Sequence, residues 1–224
     1  MNKLLDFILY KIGKNYHVDK NIEYSLIVNV LFTRLIMMLR GFFIVQKVIY
    51  LGKSVKIKNK RNIMFGKHIT LESYSNVDAY SKDKIKIGDF FKLGAYSIIS
   101  CTNHLGLVGK GLSIGNNSGI GEFSYFGCVG GVEIGDNVIM GQYISFHSQE
   151  HNFTDINKEI KDQGVQSKGI KLGNNIWVGA KVTFLDGANI GDNCIVAAGA
   201  VVKGEFPENS IIGGVPAKMI RTRA

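Results

Sequence analysis

Residues 172–202 read LGNNIWVGAKVTFLDGANIGDNCIVAAGAVV. An aliphatic residue followed by a small one returns here on a six-residue grid, at Leu172-Gly, Val178-Gly, Ile190-Gly and Val196-Ala. A period of six matches neither the 3.6 of a helix nor the alternation of a half-buried hairpin. It suits short flat strands joined by tight corners, three strands to a coil, with successive coils stacking their strands in parallel. The aliphatic residue points into a narrow core that only similar neighbours above and below can fill. The Gly after it, and the Asn or Asp that follows, are expected to take positive φ and turn the corner.

Working outward, the same template recurs at Leu51, Phe65, Leu71, Ile87, Leu93, Ile114, Ile120, Ile134 and Met140, thirteen matches with the four above. The expected fold is an all-β solenoid, a parallel β-helix whose handedness the period leaves open. It is preceded by an α-helical segment and closed by a short C-terminal cap. The expected boundaries are residues 1–48 for the amphipathic helical segment, 49–206 for the β-helix with an excursion at 152–168, and 207–224 for the cap.

The helical segment reads as two amphipathic helices separated near residues 13–20, the second running to residue 46. Residues 1–68 hold thirteen Lys/Arg against three Asp/Glu, whereas residues 69–224 hold fourteen against fifteen, so the net charge of +9 belongs to the first third alone. Two roles stay open for this segment: packing on the body or on a partner subunit, or lying on an anionic membrane through residues 1–61. Its most membrane-like stretch, Ser25 to Val45, carries Arg34 and Arg40. A charge near mid-bilayer costs roughly 2.5–3.5 kcal/mol, so a spanning helix is not expected. With no small-residue cleavage pattern either, the expected location is cytoplasmic, with peripheral contact to the inner face of the plasma membrane. Nucleic acid is not an expected partner, because no aromatic-basic interleaving or known module is present. Cys101, Cys128 and Cys194 lack CxxC spacing and sit among apolar or small residues, as buried free thiols do.

One place breaks the repeat. Phe146-His-Ser-Gln-Glu-His puts two imidazoles at the end of a coil, and a long polar stretch, Asn152 to Lys168, follows. Irregular sequence interrupting a regular scaffold is where function tends to sit. An imidazole titrates near neutrality, so His151 suits a general base that takes a hydroxyl proton and later returns it to a leaving group. His147, four residues earlier, either contacts the acceptor or is structural. Glu150 and Asp155 are candidates to orient the His151 ring, although strand alternation should turn Glu150 away.

Residues 50–224, and most specifically 134–221 with Trp177-Val-Gly-Ala and Gly213-Gly-Val-Pro-Ala-Lys, resemble the hexapeptide-repeat acyltransferases. Within them the chain looks most like the galactoside and maltose acetyltransferases and the capsule and lipopolysaccharide O-acetyltransferases. The resemblance implies a left-handed parallel β-helix, a homotrimer with sites between subunits, and acetyl-CoA as co-substrate with no metal. It implies His151 as the catalytic base. It also implies a donor groove formed by Trp177, Gly179, Ala180, Ala198, Lys203, Gly204, Lys218 and Arg221, whose cations suit phosphates. His147, Glu150, Gly121 and Tyr125 are the acceptor-side candidates. Gly121 stands where the galactoside-type enzymes carry an acceptor-binding Asn, which argues against a small free galactoside.

The implied activity is O-acetylation of a sugar hydroxyl on a surface-polysaccharide precursor. The alternatives are N-acetylation of an amino or nucleotide sugar, serine O-acetylation, a non-catalytic scaffold, or a zinc lyase like the carbonic-anhydrase relatives of this fold, with His104 as a third ligand beside His147 and His151.

Overall fold

The computed structural model describes residues 18–19, 21–104 and 106–223. The first expected helix lies outside the described residues; the second forms α1, Tyr24–Val45. From Tyr50 onward the chain winds through three parallel sheets of nine, seven and seven strands, which form the three faces of a prism. Each coil visits the faces in turn: coil four runs Gly119–Ile120, Tyr125–Gly127, Val132–Ile134, and coil five answers it in register with Ile139–Met140 and Ser145–His147. The first face ends with Ser210–Gly214, still parallel to Ile195–Val196. Ala217–Thr222 then folds back antiparallel and closes that sheet.

All thirteen first-position residues, twelve aliphatic and Phe65, are buried in one continuous core. Larger rings fill the second face, where Phe126, Phe146 and Phe184 stack with centroids 4.5 and 4.7 Å apart.

The corners differ from the expectation. Positive φ falls neither on the Gly nor on the residue after it but on the fourth residue of every template match, from Ser54 (φ 57°) to Gly199 (φ 73°). The Gly is required for space instead: a Cβ on Gly141 would lie 2.8 Å from the Ala180 nitrogen of the next coil. The fourth position even accepts bulky rings, which rarely adopt this conformation. At the first-to-second corner Tyr74, Tyr96, Phe123 and Tyr143 stack coil upon coil, with centroids 4.9, 5.1 and 5.2 Å apart. Ring stacking across coils offsets part of the backbone strain.

Helix α1 lies against the first coil. Gly41 sits where a side chain would strike the Ile49 carbonyl oxygen, and Met37 is buried beside it. Arg34 reaches the Thr70 hydroxyl at 3.3 Å and Glu72 at 3.6 Å, with its guanidinium 5.6 Å from the Tyr50 ring centroid. Arg40 reaches the Leu51 carbonyl at 3.5 Å.

Candidate functional site

Long insertions leave the solenoid twice, both at the second-to-third corner. In coil three, Thr102–His104 pairs antiparallel with Leu107–Val108. In coil five, Glu150–His151 pairs antiparallel with Val165–Gln166, the neck of the longer excursion. Its root is fixed by buried Ser148, whose hydroxyl donates to the Gly127 carbonyl at 2.7 Å and accepts from the Gly130 amide at 3.0 Å.

The body of the excursion is organised by one amide. Gln163 Nε2 donates to the Asp155 and Lys158 carbonyls at 2.8 and 2.9 Å, and Oε1 accepts from the Asp155 amide at 3.1 Å. Asp155, considered above as a partner for His151, instead accepts from the Asn157 amide at 3.0 Å within its own turn.

The return strand is held by Asp186, 3% exposed, whose carboxylate accepts the Lys168 amide at 2.8 Å and the Gly169 amide at 2.9 Å. Leu185-Asp-Gly reads in sequence as an ordinary turn, so nothing marked this clamp. Asp186→Ala leaves those donors without their acceptor and should cost about 1–3 kcal/mol, measured by denaturant unfolding, with faster proteolysis between residues 152 and 168. Wild-type values in both would show that the carboxylate holds nothing.

His151 is exposed on the neck, and among the described residues its ring makes no hydrogen bond. Glu150, alternate to it on the strand, meets Lys203 of coil seven through both carboxylate oxygens, at 2.8 and 2.9 Å. Because Lys203 is about half exposed, the pair contributes at most about 1 kcal/mol. Its effect is positional: it ties the His151 strand to a coil two levels away. On the adjoining second face His147 stands in register over Gly127, with Nε2 2.7 Å from the Ser145 hydroxyl and the ring 5.8 Å from that of Tyr125. Ser145 was missed in sequence, although its i, i+2 spacing from His147 puts both on one side of the strand.

The remaining candidates fall elsewhere. Trp177 stands exposed on the outer side of the first face, in register with Ile139 and Ile195. Gly179, Ala180 and Ala198 form the first-to-second corner, and Gly121 belongs to that corner three coils down from Ala198, where a Cβ would lie 2.6 Å from the Gln142 amide nitrogen. Lys218 and Arg221 project, exposed, from the closing strand of the first face. One copy of the chain therefore gathers His151, Glu150, Lys203 and Gly204 at one edge, with Tyr125, Ser145 and His147 on the neighbouring face. Trp177, Gly179, Ala180, Ala198, Lys218 and Arg221 lie around a different face and corner.

The three cysteines are buried and free. Burial, reinforced by Cys101, pushes the Cys128 thiol well up, and burial raises that of Cys194. Buried thiols of this kind are structural rather than reactive. Among the described residues no three His, Cys, Asp or Glu side chains are grouped to hold a metal ion. A concavity of about 1010 Å³ along the third face includes neither His147 nor His151. Its Glu133 is paired with Lys110 and Lys171.

Comparison with known proteins agrees with the coils. Residues 169–204 match the family model described as bacterial transferase hexapeptide (six repeats). The chain is 35% identical over 91 residues to the galactoside O-acetyltransferase of Escherichia coli, covering 40% of this chain and 43% of that enzyme. It is 27% identical over 165 residues, 74% of each chain, to the E. coli protein named "Putative lipopolysaccharide biosynthesis O-acetyl transferase WbbJ". It spans less than half the length of the curated relatives that it matches at 35% identity or better. Among solved structures, AntD, an N-acyltransferase from Bacillus cereus crystallised with dTDP and coenzyme A, aligns with a TM-score of 0.59 at 19% identity, covering 71% of this chain and 83% of that one. The shared fold is the left-handed parallel β-helix.

Proposed function

We propose that this chain, a member of the hexapeptide-repeat transferase family, transfers an acetyl group from acetyl-CoA to a sugar hydroxyl of a surface-polysaccharide precursor, with His151 as general base. The observation that carries the reading is His151 itself: an imidazole with no competing hydrogen bond among the described residues, held at the neck of the excursion by a backbone ladder and by the Glu150–Lys203 tie. The polysaccharide acceptor is supported by the likeness to WbbJ over 74% of both chains.

In this reading His151 accepts the hydroxyl proton as the acceptor oxygen bonds to the thioester carbonyl carbon. It gives that proton to the sulfur as the carbon–sulfur bond breaks, so no acyl-enzyme forms. Tyr125, Ser145 and His147 supply hydroxyl and imidazole contacts for the sugar on the adjoining face. The donor fits the other set: Lys218 and Arg221 are exposed cations for its phosphates, and the backbone at Gly199 lies open, with no atom within 4 Å of where a side chain would begin. Because the two sets lie apart on one copy, the complete site requires a second copy to bring its donor residues to the His151 edge.

A panel of hydroxyl sugars, amino sugars and serine, with thiol release from acetyl-CoA as readout, tests the reading. Turnover on a hydroxyl sugar supports it. Turnover confined to an amino sugar or to serine overturns O-transfer to sugar, and the absence of coenzyme A binding in a thermal-shift assay overturns catalysis altogether.

A further inference from the structure

Helix α1 uses one side to dock on the solenoid and leaves another uncovered. Ile27, Arg34, Met38, Gly41 and Val45 follow the helical repeat along the docked side, and all are half-buried or buried. About a quarter-turn away run Val28, Leu31, Phe32, Leu35, Leu39, Phe42 and Phe43, spaced i, i+3, i+4, i+7, i+11, i+14 and i+15. All seven are exposed, from 46% at Leu39 to 77% at Phe43. At 1.5 Å per residue this stripe is roughly 22 Å long, and it contains no polar side chain. A contiguous apolar stripe of this size on a folded surface marks something that it contacts.

The charge beside it says what. Residues 46–68 contain Lys47, Lys53, Lys56, Lys58, Lys60, Arg61 and Lys67 and no Asp or Glu. All seven cations are exposed, and none makes an ion pair among the described residues. Lys60 donates to the Ile44 carbonyl at 2.7 Å, and Lys47 to the Phe65 carbonyl at 3.4 Å. The basic run is thereby fastened to the helix end that carries Phe42 and Phe43.

We propose that α1 lies in the plane of an anionic phospholipid surface, its Val28–Phe43 stripe among the acyl chains and the 47–67 cations among the headgroups. The helix is long and apolar enough to cross a bilayer, but the docking contacts fix it as a surface element. Arg34 and Arg40 are committed to Thr70, Glu72 and Leu51, and Gly41 is pressed on Ile49. Crossing would break all of these and carry two guanidinium groups into hydrocarbon. An in-plane helix keeps them and buries only the free side. Anionic lipid is favoured over a second copy of the chain because a copy would bring the same unpaired cations against these.

The test is independent of any acyl transfer. Full-length protein is sedimented with vesicles of phosphatidylglycerol and phosphatidylcholine, and with vesicles of phosphatidylcholine alone, at 0.1 and 0.5 M salt. The expected result is binding to the anionic vesicles, at least tenfold weaker without the anionic lipid or at high salt. Leu35→Ser with Phe43→Ser should lower it at least tenfold at an unchanged melting temperature, and Lys56→Glu with Lys58→Glu should do the same. Equal binding to both vesicle types, no binding to either, or wild-type binding by the serine double variant overturns the proposal. So does a drop in sedimentation-velocity mass in that variant, which would mark the stripe as a contact between copies.

Discussion

On the proposed reading, changing His151 to Asn should lower kcat for acetyl transfer by about 10²–10⁴-fold, while the fold and the affinity for coenzyme A should stay as they were. The separation of effects follows from where the residue sits. His151 is exposed, and its main chain, not its ring, makes the ladder to Val165, so substitution removes no core contact. The donor candidates Lys218 and Arg221 stand on another face and keep their places. The measurement pairs steady-state rates with calorimetric titration of coenzyme A. A folded variant within threefold of wild-type kcat would remove His151 from the chemistry and return attention to His147, whose Nε2 faces the Ser145 hydroxyl at 2.7 Å.

The largest stability effect is expected one residue before His147. Phe146 is fully buried between Phe126 and Phe184. Its ring carries the core of the second face across three coils, and both sides are already occupied, so little can move in when it is cut back. Phe146→Ala should cost about 3–5 kcal/mol, a fall in melting temperature on the order of 10 °C for a chain of this size. The solenoid's nearest-neighbour character sharpens the expectation. Damage should concentrate in the coils on either side, and hydrogen exchange should quicken first in strands Tyr125–Gly127, Ser145–His147 and Thr183–Leu185. A loss below 1 kcal/mol would mean that the ring stack is decorative.

What could be read in advance, and what could not, divides along sequence separation. The aliphatic positions were legible because each depends only on its own six-residue match, and the interruption at residues 146–168 was legible as the absence of that match. The corner geometry was misassigned. Local preference assigns positive φ to Gly and Asn, whereas here Tyr74, Phe90, Tyr96, Phe123 and Tyr143 carry it, supported by rings in neighbouring coils that local propensity does not see. The site's fastenings were invisible for the same reason. Glu150 and Lys203 are 53 residues apart in the chain, and Asp186 reaches back 18 and 17 residues to Lys168 and Gly169. Arg34 and Arg40 were read as obstacles to a membrane span, but what they contact could be learned only from the docked helix.

The corner ladders have a consequence for how the chain finds its register. Thirteen matches to one template make a core in which any coil could replace its neighbour, and a slip by a whole coil would keep every aliphatic residue inside. Of the two ladders of left-handed residues, one is not interchangeable in this way. One edge reads Ser54, four aromatics, Lys181, Gly199; another reads His68, Phe90, then Asn117, Asn137, Asn175, Asn193 and Asn209. A misthreaded coil would part the stacked rings at 4.9–5.2 Å while leaving the core content unaltered. The order of the coils is thus indexed along one edge of the prism, where a serine, a block of rings, a lysine and a glycine follow one another.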